Sequence, residues 1–193
     1  MASEFAGKVV VVSGGSRGIG RGIAAAFAAE GAQTVLAASS QTTLAEAAAA
    51  IAQSGAIRPD ICAVDLRHDE GCKAVFKLVC ERHGRCDILV NSAGATRAGA
   101  FLDLTDEAWQ DGFALKFFGC VNLCRLFWPL LTTARGHVVN IIGGAAHPGP
   151  WIPDWRFRQR GDAQLHQGPF GLGQTQRCQC QRDPAWSDGD RAG

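Results

Sequence analysis

The stretch "SGGSRGIG" (13–20) constrains this chain more than any other. It follows "KVVVV" (8–12), a β-branched run with the character of a buried strand. It runs into "IGRGIAAAFAAEGA" (19–32), Ala-rich with apolar positions at helical spacing and stopped by Gly31. A strand that ends in glycines and turns straight into a helix suits a bound phosphate. Glycine allows a tight turn and close backbone approach, and the helix N-terminus offers N–H groups at the positive end of its dipole. The same spacing also occurs in turns that bind nothing, so the setting has to decide.

That setting is an alternation of strands and helices through residue 150. "TVLAAS" (34–39) predicts a second strand and "TLAEAAAAIAQSG" (43–55) a second helix. "IRPDICAVDL" (57–66) contains a third strand, "DEGCKAVFKLVCERHG" (69–84) is a third helix, and "CDILVNSAG" (86–94) is a fourth strand. A long helical segment, "TDEAWQDGFALKFFGCVNLCRLFWPLL" (105–131), begins at Thr105, a suitable N-cap with acids in the first turn. "GHVVNIIGG" (136–144) is a fifth strand. Continuous apolar strands alternating with helices imply an α/β fold with a parallel sheet covered on both faces. In such a sheet the turn after the first strand lies where ligands bind.

Composition narrows the class further. Of 193 residues, 47% are hydrophobic and 19% charged, with a formal net charge of +1, which suits a globular chain and gives no electrostatic case for nucleic acid or an anionic membrane. The start "MASEFAGKVVVVSGG" has neither the basic beginning nor the long apolar core of a signal peptide, and no uninterrupted apolar run reaches membrane-spanning length. A cytoplasmic protein is expected. Cys62, Cys72, Cys80, Cys86, Cys120 and Cys124 form no pair of CxxC motifs, so no metal site is expected and reduced, mostly buried thiols are.

Residues 151–193 differ in character. They contain no Val or Lys, but seven Gln, six Arg and three Trp among few aliphatics. Such a segment cannot bury enough apolar surface to offset the entropy of ordering it. The expected organisation is one nucleotide-binding domain over 1–150 and an aberrant polar, disordered tail over 151–193.

The glycine loop, "VDL" (64–66) after the third strand and "NSAG" (91–94) after the fourth together resemble the short-chain dehydrogenase/reductase family. The usual family forms are TGxxxGIG and NNAG; here Ser13 replaces Thr and Ser92 replaces the second Asn. The resemblance covers roughly residues 5–150 and implies a Rossmann-type doubly wound sheet that binds NAD or NADP. Carried over by position, Ser13, Gly14, Ser16, Arg17, Gly18, Ile19 and Gly20 would hold the pyrophosphate. Asp65 and Leu66 would meet the adenine, and Asn91, Ala93 and Gly94 would line the adenine-ribose and nicotinamide side. Ser39 ends the second strand where an NAD enzyme places an acid for the ribose 2′-OH, and Arg17 could meet a 2′-phosphate; both favour NADP over NAD.

The family's catalytic residues are missing where the resemblance puts them. These 193 residues contain no Tyr, the family's general acid. "NIIGG" puts Gly143 at the Ser position, and "FALKFFG" puts Lys116 at the Asn position of the long helix. His137 and His147 are nearby proton donors to which no role is given. No catalytic residue is assigned.

The tail yields to a one-base shift of reading frame. Trp186 is TGG and Ser187 begins with T or A, so the shifted codon reads Gly. "CQRDPAWSDGD" (180–190) becomes compatible with the family string VNAIxPGxxxT, and "QLHQGP" (164–169) with NFTKAL. Residues from near 150 onward therefore read as an out-of-frame translation, and the two Cys of "CQC" (178–180) as codon accidents. The expectation is an NADP-dependent oxidoreductase by descent, catalytically impaired in this chain, with a non-catalytic dinucleotide-binding or pairing module as the alternative. The intact family fold implies a homo-oligomer; loss of its last third argues against one here. The substrate is a small molecule of unknown identity.

Overall fold

A computed structural model describes residues 3–94 and 103–142. Five strands, β1 (Val9–Ser13), β2 (Gln33–Ala38), β3 (Asp60–Ala63), β4 (Ile88–Asn91) and β5 (His137–Asn140), alternate with helices. α1 (Gly18–Ala29), α2 (Gln41–Gln53) and α3 (Asp69–Arg82) connect the first four strands, and α4 (Asp106–Phe113) with α5 (Gly119–Ala134) precede the fifth. All pairings are parallel, in the order β3-β2-β1-β4-β5. This is the Rossmann-type doubly wound α/β sheet. The chain steps outward from β1 to β3 and then crosses to β4. The crossovers after β1 and β4 therefore leave in opposite directions, opening a crevice above the carboxyl ends of these two strands.

Side chains of successive strand residues alternate between the two faces, and each face has its own core. Val9, Val11, Val35 and Leu89 pack with Val75, Val79, Leu123, Phe127 and Leu131 of α3 and α5. Val10, Val12, Leu36 and Val90 pack with Ala24, Ala28, Leu44, Ala47 and Ile51 of α1 and α2. Each fully buried Val or Leu contributes about 1.5–3 kcal/mol relative to exposure. The small alanines let α1 and α2 lie close to the sheet.

At the amino ends of the strands, Asp87 pins the sheet. Its carboxylate accepts from the Val9 amide at 2.9 Å, from Lys8 at 3.2 Å and from Arg85 at 2.6 and 2.9 Å. Burial would raise its pKa, but the Arg85, Val9 and Lys8 hydrogen bonds outweigh burial and hold it below the ordinary carboxylate value. The Asp87 carbonyl also accepts from the His137 amide at 2.8 Å, which places His137 at the end of the sheet opposite the crevice.

The long helical segment is less uniform than its sequence suggests. Thr105 caps α4 as expected, accepting from the Ala108 amide at 3.3 Å. A π-helical turn over Ala114–Phe118 then interrupts the rod, which resumes as α5 and stops at Arg135 with φ +51°. Taken whole, Asp106–Ala134 is long and apolar enough to cross a bilayer by length and composition alone, although it contains no uninterrupted apolar run of that length. Its Leu123, Phe127 and Leu131 are buried against the sheet instead. Of the six thiols among the described residues, Cys62, Cys72 and Cys86 are buried, whereas Cys80, Cys120 and Cys124 are half-buried. Burial pushes Cys72 up to about 11 and Cys86 up to about 12. Gly143, His147 and the whole 151–193 tail with its frame-shift reading lie outside the described residues.

Candidate functional site

The crevice at the switch point is a cleft of about 660 Å³. The glycine loop forms its floor. Gly14 has φ +71°, and a Cβ there would lie 2.8 Å from the Ala93 backbone. A Cβ on Gly20 would lie 2.3 Å from the Gly14 carbonyl oxygen. The loop can therefore close only with glycine at both positions, because the clashing atoms are main chain. Ser13 locks the loop to the next strand: its Oγ accepts from the Ser92 and Ala93 amides at 3.1 and 3.2 Å.

α1 starts at this floor without a side-chain cap and without an acid in its first turn. Its first N–H groups face the cleft with the positive end of the dipole, a ready site for an anion. Arg17, at the cap position, is extended and exposed. Ser39 is exposed at the end of β2, and Ser40 caps α2, accepting from the Thr43 amide at 3.4 Å. The residue that follows β2 at this corner is thus a serine and not an acid, and among the described residues Asp65 is the one carboxylate that lines the cleft.

On the β3 side, Asp65 is fixed by Arg67. The Arg67 amide donates to Asp65 Oδ1 at 2.9 Å and its guanidinium lies at 3.2 Å, while Arg67 Nε reaches Asp111 of α4 at 2.6 Å. Partial burial would raise the Asp65 pKa; the Arg67 contacts overcome this and lower it. On the β4 side, Asn91 is buried and donates to Asn140 Oδ1 at 2.9 Å, joining the ends of β4 and β5.

Of the residues expected to hold a dinucleotide, Gly14, Ser16, Arg17, Gly18, Ile19, Gly20, Ser39, Asp65, Leu66, Ala93 and Gly94 line this one cleft. Ser13 and Asn91 sit behind it, lining a small adjoining cavity with Asn140 and Cys120. Sequence reasoning missed Ser40, Thr43 and Arg67. Only Arg67 left a signal, as the residue two beyond Asp65. Lys116 lines the cleft from the π-helical turn, and its aliphatic stem would meet a Cβ on Gly94 at 3.7 Å. In the sequence this position stands out only as a departure from the family pattern.

A family model described as short chain dehydrogenase matches residues 8–152. The chain is 38% identical over 146 residues to a probable oxidoreductase, EphD, of Mycobacterium bovis, a match covering 74% of this chain and 24% of that protein. It is 33% identical over 159 residues to 11-beta-hydroxysteroid dehydrogenase A of Sesamum indicum, covering 81% of this chain and 44% of the relative. The chain thus spans about a quarter to a half of the length of these curated relatives. Among solved structures, L-sorbose reductase from Gluconobacter frateurii, complexed with NADPH and L-sorbose, superposes with a TM-score of 0.79 at 32% identity, covering 86% of this chain and 64% of that one. A metagenomic short-chain oxidoreductase in complex with NADP superposes with a TM-score of 0.76 at 32% identity, covering 83% and 74%.

Proposed function

This chain belongs to the short-chain dehydrogenase family, and from that premise we propose that it binds NADP(H) in the switch-point cleft, with carbonyl reduction impaired. The observation that carries the reading is the uncapped N-terminus of α1 above a floor that only glycine permits at positions 14 and 20. The pyrophosphate of a dinucleotide matches that pair of features: a cradle that a Cβ would fill, and unsatisfied N–H groups aimed into it.

Within that site, Ser16 to Gly20 would hold the pyrophosphate, Asp65 and Leu66 would meet the adenine, and Ala93 and Gly94 would line the ribose and nicotinamide side. Ser13 and Asn91 act from behind by fixing the β4 loop. The 2′-phosphate would lie against Arg17, with Ser39 and Ser40 offering hydroxyls in place of the carboxylate that would repel it. The dinucleotide, once bound, supplies a hydride to a carbonyl carbon or accepts one from an alcohol.

A carbonyl oxygen reduced in this cleft needs a proton, and no phenol exists among the 193 residues to give one. Lys116 lines the cleft beside Gly94, where the family pattern has Asn. His137 cannot substitute, because it lies at the far end of the sheet. These observations favour binding with little turnover. A cytosolic setting belongs to the same proposal, as does an out-of-frame origin for the tail. The end of the family match at residue 152, where the composition changes, supports that origin.

The test is a titration followed by NADPH fluorescence. A saturable change is expected, and Arg17→Ala should weaken NADPH about tenfold while leaving NADH nearly unchanged. No saturable change in a folded sample overturns the binding reading; equal losses for both nucleotides overturn the preference for NADP. Turnover with NADPH across ketones, quinones and acyl thioesters should stay at background, and robust turnover would refute the impairment. Sequencing the coding DNA across residues 145–160 decides the frame.

A further inference from the structure

A second constellation lies on the far side of Lys116. Cys120 and Cys124 are four residues apart on α5, so they share one face of the helix one turn apart. Both line an open cavity of about 590 Å³ beside the cleft, with Lys116, Trp128 and Asn140. The Asn91 amide donates to the Cys124 sulfur at 3.4 Å, and the Cys120 sulfur lies 3.4 Å from Asn140 Oδ1. The same Asn91 amide reaches Asn140 at 2.9 Å, so the two thiols and two amides form one network.

We propose that Cys120 and Cys124 form a bidentate dithiol site for a soft, thiophilic centre of the arsenic(III) class. Three features support it. The pair is one turn apart on one helix face, the spacing that lets two sulfurs reach one centre. Both residues are half-buried and line this open cavity, unlike Cys72 and Cys86, which are wholly buried. Cys124 alone among the thiols with a resolved shift is pushed down rather than up: a hydrogen bond from Cys120 leads, burial opposes it, and the Asn91 amide adds to the lowering. A thiolate stabilised in this way is the form that binds soft centres.

The reaction balances without an oxidant. An organoarsenic(III) oxide takes two thiols, forms two As–S bonds and releases its oxygen with both S–H protons as one water. Arsenic and sulfur keep their oxidation states. Ligation would occupy the lone pairs of the Cys124 sulfur and loosen its bond to Asn91, which stands behind the β4 loop.

The experiment uses the full chain carrying Cys178→Ser and Cys180→Ser, which removes the competing tail pair. The protein is treated with one equivalent of phenylarsine oxide, washed with excess glutathione, digested with trypsin and weighed. Cleavage after Lys116 and Arg125 leaves both cysteines on one peptide, Phe117–Arg125. The expected result is a phenylarsenic bridge on that peptide that resists glutathione and is released by a dithiol. Cys120→Ser and Cys124→Ser should each reduce the retained adduct at least tenfold. Three results would overturn the site: no resistant adduct on the native chain, an adduct that forms only in urea, or retention unaffected by either substitution. The urea comparison keeps the test decisive should a variant fail to fold.

Discussion

β1 and β5 both carry a valine run at their centre and end in different states. β1 reads VVVVS, and Val10, Val11 and Val12 are wholly buried. β5 reads HVVN, and all four of its residues are only half-buried. β1 has a strand on each side and helices over both faces; among the described residues β5 pairs only with β4. The adjacent helix repeats the contrast. Phe127 is 0% exposed and meets Phe76 edge-on at 5.3 Å, while its neighbour Trp128 is 46% exposed. Apolar character thus does not set a residue's contribution; the number of packed neighbours does. An apolar edge strand is also a template for unwanted pairing, so aggregation through β5 is expected in concentrated samples.

The helix contrast offers the largest effect by which to break this comparison. Phe127→Ala should lower stability by about 3–5 kcal/mol, because it opens a cavity between α5 and α3. Trp128→Ala should change it by about 1 kcal/mol or less. Urea midpoints measure both, and equal losses would mean that Trp128 packs against something substantial.

The strands give the next contrast. Val11→Ala should cost about 2–3 kcal/mol and Val138→Ala about 1 kcal/mol, since only the first removes methyls with contacts on every side. Reversal of that order would show β5 covered on the edge away from β4.

Asp87 sharpens the comparison at the amino ends, where it ties β1 to β4 and its main chain reaches β5. Asp87→Asn should cost about 2 kcal/mol at neutral pH through weakened charged hydrogen bonds. The folded pKa of Asp87 is depressed, so its contribution is fully present above the unfolded value of about 3.9 and is lost as pH falls through the folded value. The two proteins should therefore converge in stability once the pH lies below the depressed folded value of Asp87. A difference that persists there would mean that the carboxylate charge is not what stabilises the joint.

The last contrast is read in affinity and not in stability, at the turn leaving β1. Gly20→Ala places a methyl against the Gly14 carbonyl and should weaken NADPH about tenfold or more. Gly22→Ala, which meets nothing within 4 Å, should leave affinity unchanged, so matching losses would remove the steric account of the loop.

Much of this was legible in the chain. The strands and helices begin and end within a few residues of their expected places, because apolar periodicity and glycine stops are local signals. The glycine loop and "VDL" mark most of the cleft in the sequence alone. Thr43 and Ser40 were not legible, since their presence in the cleft depends on how α2 crosses the end of β2. The π-helical turn that brings Lys116 to the cleft and the amides around Cys124 were equally hidden. "ALKFF" reads as ordinary helix, and Asn91 and Asn140 are 49 residues apart.

By itself, then, the sequence determined an alternating α/β chain, a phosphate-type turn after the first strand, and a composition that breaks near residue 150. It determined equally that these 193 residues contain no tyrosine. Only the tertiary structure decided the order β3-β2-β1-β4-β5, and with it which loop ends converge. Only it separated Val11 from Val138, His137 from the cleft, and Cys124 from the deeply buried thiols. Periodicity is set by neighbours along the chain, but burial, hydrogen-bond partners and pKa are set by neighbours in space, and those exist only once the crossovers have closed.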